Sequence, residues 1–165
     1  MKTMVAAVVL KFLGAGILVL QRKDSRMQEE LTAYAPGSAL QIRAWDGGPV
    51  LCLAKSASGA WTAGSLSRPL GSEVVEVVFK SPRSAILALL GLQSVSAAFL
   101  ENRVTVRGDL MVTLPLVRAV NLAEAHLFPR WWTKPIGTLP PRRLTLMGTW
   151  FGALAQLFSP QERSP

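Results

Sequence analysis

At residues 35–38 the chain changes its hydrophobic period, and that change constrains the fold more than any other feature. Upstream, residues 1–34 read as helix, with a break near Arg22 to Asp24. Ala35-Pro36-Gly37-Ser38 then stops the helix, because proline and glycine together mark a turn. Beyond it the apolar residues recur every second position. Leu40 to Trp45 alternates as a half-buried strand does. Asp46-Gly47-Gly48 supplies the positive φ of a tight hairpin, and Val50 to Lys55 returns as a second strand. Ser58-Gly59 turns again, Trp61 to Leu66 reads as a third strand, and Pro69 to Ser72 as a loop. Val74 to Phe79, four valines and a phenylalanine around Glu76, is the clearest strand. The expected arrangement of these four is an antiparallel meander.

Helical spacing then returns. Ser81 is a preferred N-cap, and Pro82 suits a first turn whose N–H groups have no helical partner. Ile86, Leu89 and Leu90 form the apolar stripe of this helix, which closes at Gly91. A short helix follows with Val95, Ala98 and Phe99 on one face. Glu101-Asn102-Arg103 is a turn, Val104 to Arg107 a fifth strand, and Gly108-Asp109 its end. Another helix runs to Phe128, with Pro115 expected in its first turn and Leu116, Val120, Ala123 and Leu127 along one face. The fold class is therefore α+β: a five-stranded, mainly antiparallel sheet covered by helices, with N- and C-terminal helical extensions. Residues 1–34 form the leading helix, 35–130 the central domain, and 131–165 a linker and tail helix. In that tail Met147, Trp150, Phe151, Leu154 and Phe158 fall on one side of an amphipathic helix.

Composition sharpens the question of what this fold is for. Half of the 165 residues are apolar, a greasy balance for a soluble chain of this size. The surplus calls for an internal cavity, a partner or a membrane surface. The formal charge is +8, from 18 Lys+Arg against 10 Asp+Glu, which favours anionic partners. The bases are scattered, with small groups at Arg22-Lys23-Arg26 and Arg142-Arg143, and none alternates with aromatics. That argues against nucleic acid. The single cysteine, Cys52, excludes an intramolecular disulfide and fits a reducing, cytoplasmic setting. Met4 to Leu20 is apolar apart from Lys11. No cleavage site follows it, and a charge at its middle disfavours a spanning helix. Packing on the domain, lying on a membrane, and anchoring in one all stay open.

Convergent titratable groups are what an enzyme needs, and they are missing. His126 stands alone at a helix C-terminus, where the helix dipole favours a cationic imidazole. Cys52 sits in an apolar strand and reads as a buried, inert thiol. Asp109 suits a helix cap better than catalysis. Leu13-Gly14-Ala15-Gly16 lacks the third glycine and the preceding strand of a dinucleotide site. Glu29, Glu30, Glu73, Glu76 and Glu124 are dispersed among different elements. The expectation is a non-catalytic protein with no catalytic residues, no metal and no cofactor.

Four strands, two helices, a strand and a helix, with Val77-Val78-Phe79-Lys80-Ser81, Leu89-Leu90-Gly91, Ala98-Phe99-Leu100 and Val104-Thr105-Val106-Arg107-Gly108-Asp109, resemble the sterol carrier protein type 2 domain over about residues 36 to 128. Asn102 departs from the pattern, where the family often has glycine, but asparagine tolerates positive φ. The resemblance implies an apolar tunnel between sheet and helices for acyl, sterol-like or isoprenoid chains. Bacterial relatives include lipid-binding accessory proteins of ubiquinone biosynthesis. It implies Ile86, Leu89, Leu90 and Phe99 as lining residues, with Leu110, Leu116 and Val120 added from the later helix. The expected function is lipid binding or carrying, cytoplasmic and peripheral to a membrane. Contact there would use Arg142, Arg143, Met147, Trp150, Phe151, Leu154 and Phe158. The alternative is an accessory subunit whose terminal helices pack against a protein partner or a second copy.

Overall fold

A computed structural model describes residues 2–64 and 74–127, apart from the side chains of Val74 and Leu110. Ten elements follow in order: α1 (Lys2–Lys23), α2 (Ser25–Thr32), β1 (Ala39–Arg43), β2 (Val50–Lys55), β3 (Trp61–Gly64), β4 (Val74–Phe79), α3 (Pro82–Leu89), α4 (Val95–Leu100), β5 (Val104–Arg107) and α5 (Leu110–Leu127). The expected tail helix, the residues beyond Gly64 in the third strand, and the loop at Pro69 to Ser72 lie outside the described residues.

The sheet order is β3-β2-β1-β4-β5. It corrects the meander. β4 does not follow β3 but inserts beside β1, parallel to it, with Ile42 opposite Val77, while the other pairings are antiparallel. The physical reason is in the strands. β4 is buried from Val75 to Phe79, Glu76 included, as a central strand is, whereas β3 carries an exposed Thr62, which suits an edge.

One face of this sheet carries Leu40, Ile42, Leu51, Leu53, Trp61, Val75, Val77, Phe79 and Val104, and all the described helices pack there. α1 is among them. It is long and apolar enough to cross a bilayer by length and composition, yet its Ala6, Leu10, Leu13, Ile17 and Leu20 are at most 2% exposed within the core. Two glycines bring it close. A Cβ on Gly14 would lie 2.6 Å from Leu51 Cδ1, and one on Gly16 would lie 2.8 Å from Leu127 Cδ1. The apolar face assigned no strand surface by the sequence thus lies over β2 and β3 and against α5. Asp24 ends α1 and caps α2, accepting from the Arg26 backbone N–H at 2.9 Å. Lys55 donates to the Tyr34 and Leu31 carbonyls just after and within α2, placing a cation where the helix dipole favours it. Tyr34, buried edge-on against Trp61, donates its hydroxyl to the Val112 carbonyl of α5.

Turn chemistry follows the residues. Gly47, Gly59 and Gly91 take positive φ, and Asn102 does so at +56°, its side chain accepting from Lys80. Asp109 caps α5 by accepting from the Met111 N–H. That start lies earlier than expected, so Pro115 is the sixth residue of the helix and not in its first turn. Its missing N–H leaves the Met111 carbonyl without a helical donor, which is tolerable because Met111 is exposed to water.

On the opposite sheet face Glu76 accepts from Arg43 at 2.7 Å and Arg107 at 3.0 Å. Burial pushes its carboxyl up, but these two hydrogen bonds and their positive charges outweigh burial and hold it below the ordinary glutamate range. A folded-state depression stabilises above the unfolded pKa and is lost as pH falls through the folded one. Glu76→Gln is therefore expected to cost about 1–2 kcal/mol at neutral pH. In urea titrations the gap to the native chain should close under acid conditions; a gap constant from pH 3 to 7 would contradict the assignment.

Candidate lipid-binding cleft

Two serines set the helices that roof the sheet. Ser81 Oγ accepts from the Ser84 N–H and starts α3, and Ser94 Oγ accepts from the Ala97 N–H and starts α4. Gly91, at φ +69°, turns the chain between them. The buried side of α3 is Ser84, Ala85, Ala88 and Leu89. Its small residues let that helix approach the core closely, so only one large side chain points inward.

What these elements leave between them is a narrow cleft of about 10 Å³, room for about one water molecule. Its lining is apolar throughout: Ile42 of β1, Val77 and Phe79 of β4, Leu89 of α3, Val95 of α4, and Leu116, Val117 and Val120 of α5. Pockets for small molecules usually hold roughly 300–1,000 Å³, so a long chain needs α3 and α4 to part from α5.

Of the lining residues expected from sequence, the structure brings together Leu89, Leu116 and Val120. Ile86 and Leu90 are half-buried and do not line the cleft, and Phe99 is 44% exposed on the outer side of α4. Leu110 opens α5, with its side chain outside the described residues. Arg142, Arg143, Met147, Trp150, Phe151, Leu154 and Phe158 lie outside them too. The sequence reading missed Ile42, Val77 and Phe79, although strand alternation already placed them on one face. It also missed Val95 and Val117.

The other candidates are placed as follows. His126 is buried in the last turn of α5, its Nδ1 2.8 Å from the Leu122 carbonyl oxygen and its Nε2 3.5 Å from Asp24 Oδ2. Burial pushes the Cys52 thiol up, partly countered by a hydrogen bond with Gln41, which keeps it from acting as a thiolate. Among the described residues no three His, Cys, Asp or Glu side chains group to hold a metal ion. Glu124, dismissed in sequence as one of several dispersed acids, is fully buried on α5.

No family model matches the sequence, and no curated protein does. Solved structures do. A structure titled UbiJ-SCP2 ubiquinone synthesis protein is similar with a TM-score of 0.51 at 16% identity, over 71% of this chain and 96% of that one. The apo form of sterol carrier protein 2 from Yarrowia lipolytica is similar with a TM-score of 0.47 at 11% identity, over 73% and 92%. At such identities the likeness concerns the fold, and it spans nearly the whole of the UbiJ-SCP2 chain. With its mixed five-stranded sheet roofed by helices, this chain has a fold of the sterol carrier protein 2 type.

Proposed function

We propose that this protein binds a lipid, or another molecule with a long apolar chain, in the cleft between the sheet and α3, α4 and α5, and that it does so without catalysis. The wholly apolar lining carries the proposal. Each methylene moved from water into such a lining contributes about 0.8 kcal/mol, so a chain can be held without polar anchors along its length. The fold type supports the reading, as do the names of the similar structures, one a sterol carrier and one a ubiquinone synthesis protein. Acyl, sterol-like and isoprenoid chains all suit this chemistry. Purification of the full chain from cells, solvent extraction and mass spectrometry test it. Near-stoichiometric lipid is the expected result. A clean extract, with no uptake of a fluorescent fatty acyl probe, would overturn it.

We place the working position at a membrane surface. Leu100 is 84% and Met111 73% exposed, on two of the three helices that border the cleft, and Phe99 and Leu114 are exposed near them in sequence. Apolar side chains on a chain of charge +8 suit an anionic bilayer. Leu100→Glu is expected to weaken binding to phosphatidylglycerol-rich vesicles about tenfold, read by co-sedimentation, with the melting temperature unchanged. Unaltered vesicle binding would move the contact elsewhere.

A further inference from the structure

Lipid binding in an apolar cleft does not use two polar groups that the fold buries on α5. Glu124 is 0% exposed, and neither of its carboxyl oxygens has a hydrogen-bond partner. Asn121 Oδ1 is likewise buried without one. Buried polar groups in proteins are almost always paired, and an unpaired one is costly. Two such orphans, three residues apart on one helix, call for a partner.

Their position says which. Glu124 follows Val120 by four residues and Val117 by seven, and Asn121 follows Val117 by four. Helical geometry puts all four on one face, with Glu124 about 6 Å further along the axis than Val120. Val117 and Val120 line the cleft. Asn121 and Glu124 do not line the closed cleft; they follow its last lining residue on α5, Val120, by one and four positions on the same stripe.

The chemistry of a lipid head there follows from the charge. Burial alone pushes the Glu124 carboxyl well above the ordinary range, and no cation among the described residues counters it. A neutral carboxyl both donates and accepts, and the Asn121 side chain adds a further hydrogen-bonding group. A phosphate or carboxylate head would find no positive partner here. An ammonium head would require a buried ion pair, which desolvation disfavours. A hydroxyl, which gives one hydrogen bond and takes others, is the complement.

We infer that Asn121 and Glu124 form the polar end of the cleft and hold the hydroxyl head of a neutral lipid, a long-chain alcohol by chemical class. The inference rests on the lipid-binding reading above, and the test separates the two. Three probes of equal chain length, hexadecanol, hexadecanoic acid and hexadecyl phosphate, are titrated into the full chain from cyclodextrin. The native chain is expected to bind the alcohol about tenfold more tightly than the others, the worth of one good buried hydrogen bond. Glu124→Leu should erase that preference while still binding all three. Glu124→Gln, which keeps a donor and an acceptor, should retain most of it, and Asn121→Leu should reduce it severalfold. Equal binding of the three probes by the native chain, or alcohol binding untouched by Glu124→Leu, overturns the inference and leaves lipid binding standing. Binding of no probe at all overturns both.

Discussion

Replacing Gly16 by leucine is expected to destabilise the protein by about 2–3 kcal/mol and to lower its melting midpoint by roughly 5–10 °C. Leucine is the better helix former by roughly 0.8 kcal/mol, so propensity alone predicts the opposite sign. Packing decides. A Cβ at this position would meet three atoms of Leu127, at 2.8, 3.1 and 3.2 Å, the whole branched end of a fully buried side chain. Leu127 belongs to the buried core cluster, so a shift of its side chain disturbs the packing around it. α1 must then lift from α5, and Leu10, Leu13, Ile17 and Leu20 go with it. Gly14 is the milder case, since its nearest neighbour is one terminal methyl of Leu51. Thermal melts by circular dichroism read the difference. A midpoint unchanged by Gly16→Leu would mean that α1 does not seat on α5, and a membrane-lying helix would then account better for its apolar length.

How far the sequence carried the fold depends on the range of the interaction. Elements bounded by local chemistry were legible, because their stop and start signals are covalent neighbours. Pro36-Gly37, the Ser81 cap and the positive φ of Asn102 are of this kind. The pairing of β4 with β1 was not, because nothing in Val74 to Phe79 names its neighbour. Only the comparison of candidate edges does, and it needs the sheet assembled. The place of α1 stayed open for the same reason, since a helix that seats on a sheet and one that seats in lipid share one composition. Of the lining residues that the resemblance implies, Leu89, Leu116 and Val120 border the cleft, whereas Ile86 and Leu90 sit half-buried outside its lining. The inner side of α3 is in fact built on Ala85 and Ala88, small residues that a search for apolar bulk passes over.

Glu124 escaped for a different reason. A glutamate in a helix ordinarily marks the solvated face, and Leu116, Val120, Ala123 and Leu127 had already claimed the buried one. At its C-terminal end α5 is instead buried on every side, from Ala123 to Leu127. One signal was available. Glu124 has no Lys or Arg three or four residues away on either side to pair with, unlike a typical exposed helical glutamate.

That burial makes Glu124→Leu a stabilising substitution, and more so at pH 7 than at pH 4. Two costs combine. The neutral carboxyl gives up its water on folding and gains no hydrogen bond, at any pH. Its folded pKa also lies well above the unfolded one, so folding is unhindered by proton linkage only below the ordinary glutamate range. As pH rises past that range the unfolded chain releases a proton that the folded chain retains, and stability falls by about 1.4 kcal/mol per pH unit until the folded group ionises. Leucine removes both costs and fills a similar volume. Urea unfolding of the two chains at both pH values measures the gap. A variant less stable than the native chain at pH 7 would mean that a partner already holds Glu124 in the unliganded protein. A variant more stable yet unable to prefer the alcohol would show stability given up for the recognition of a ligand, the usual compromise where a binding site keeps polar groups unpaired until the ligand arrives.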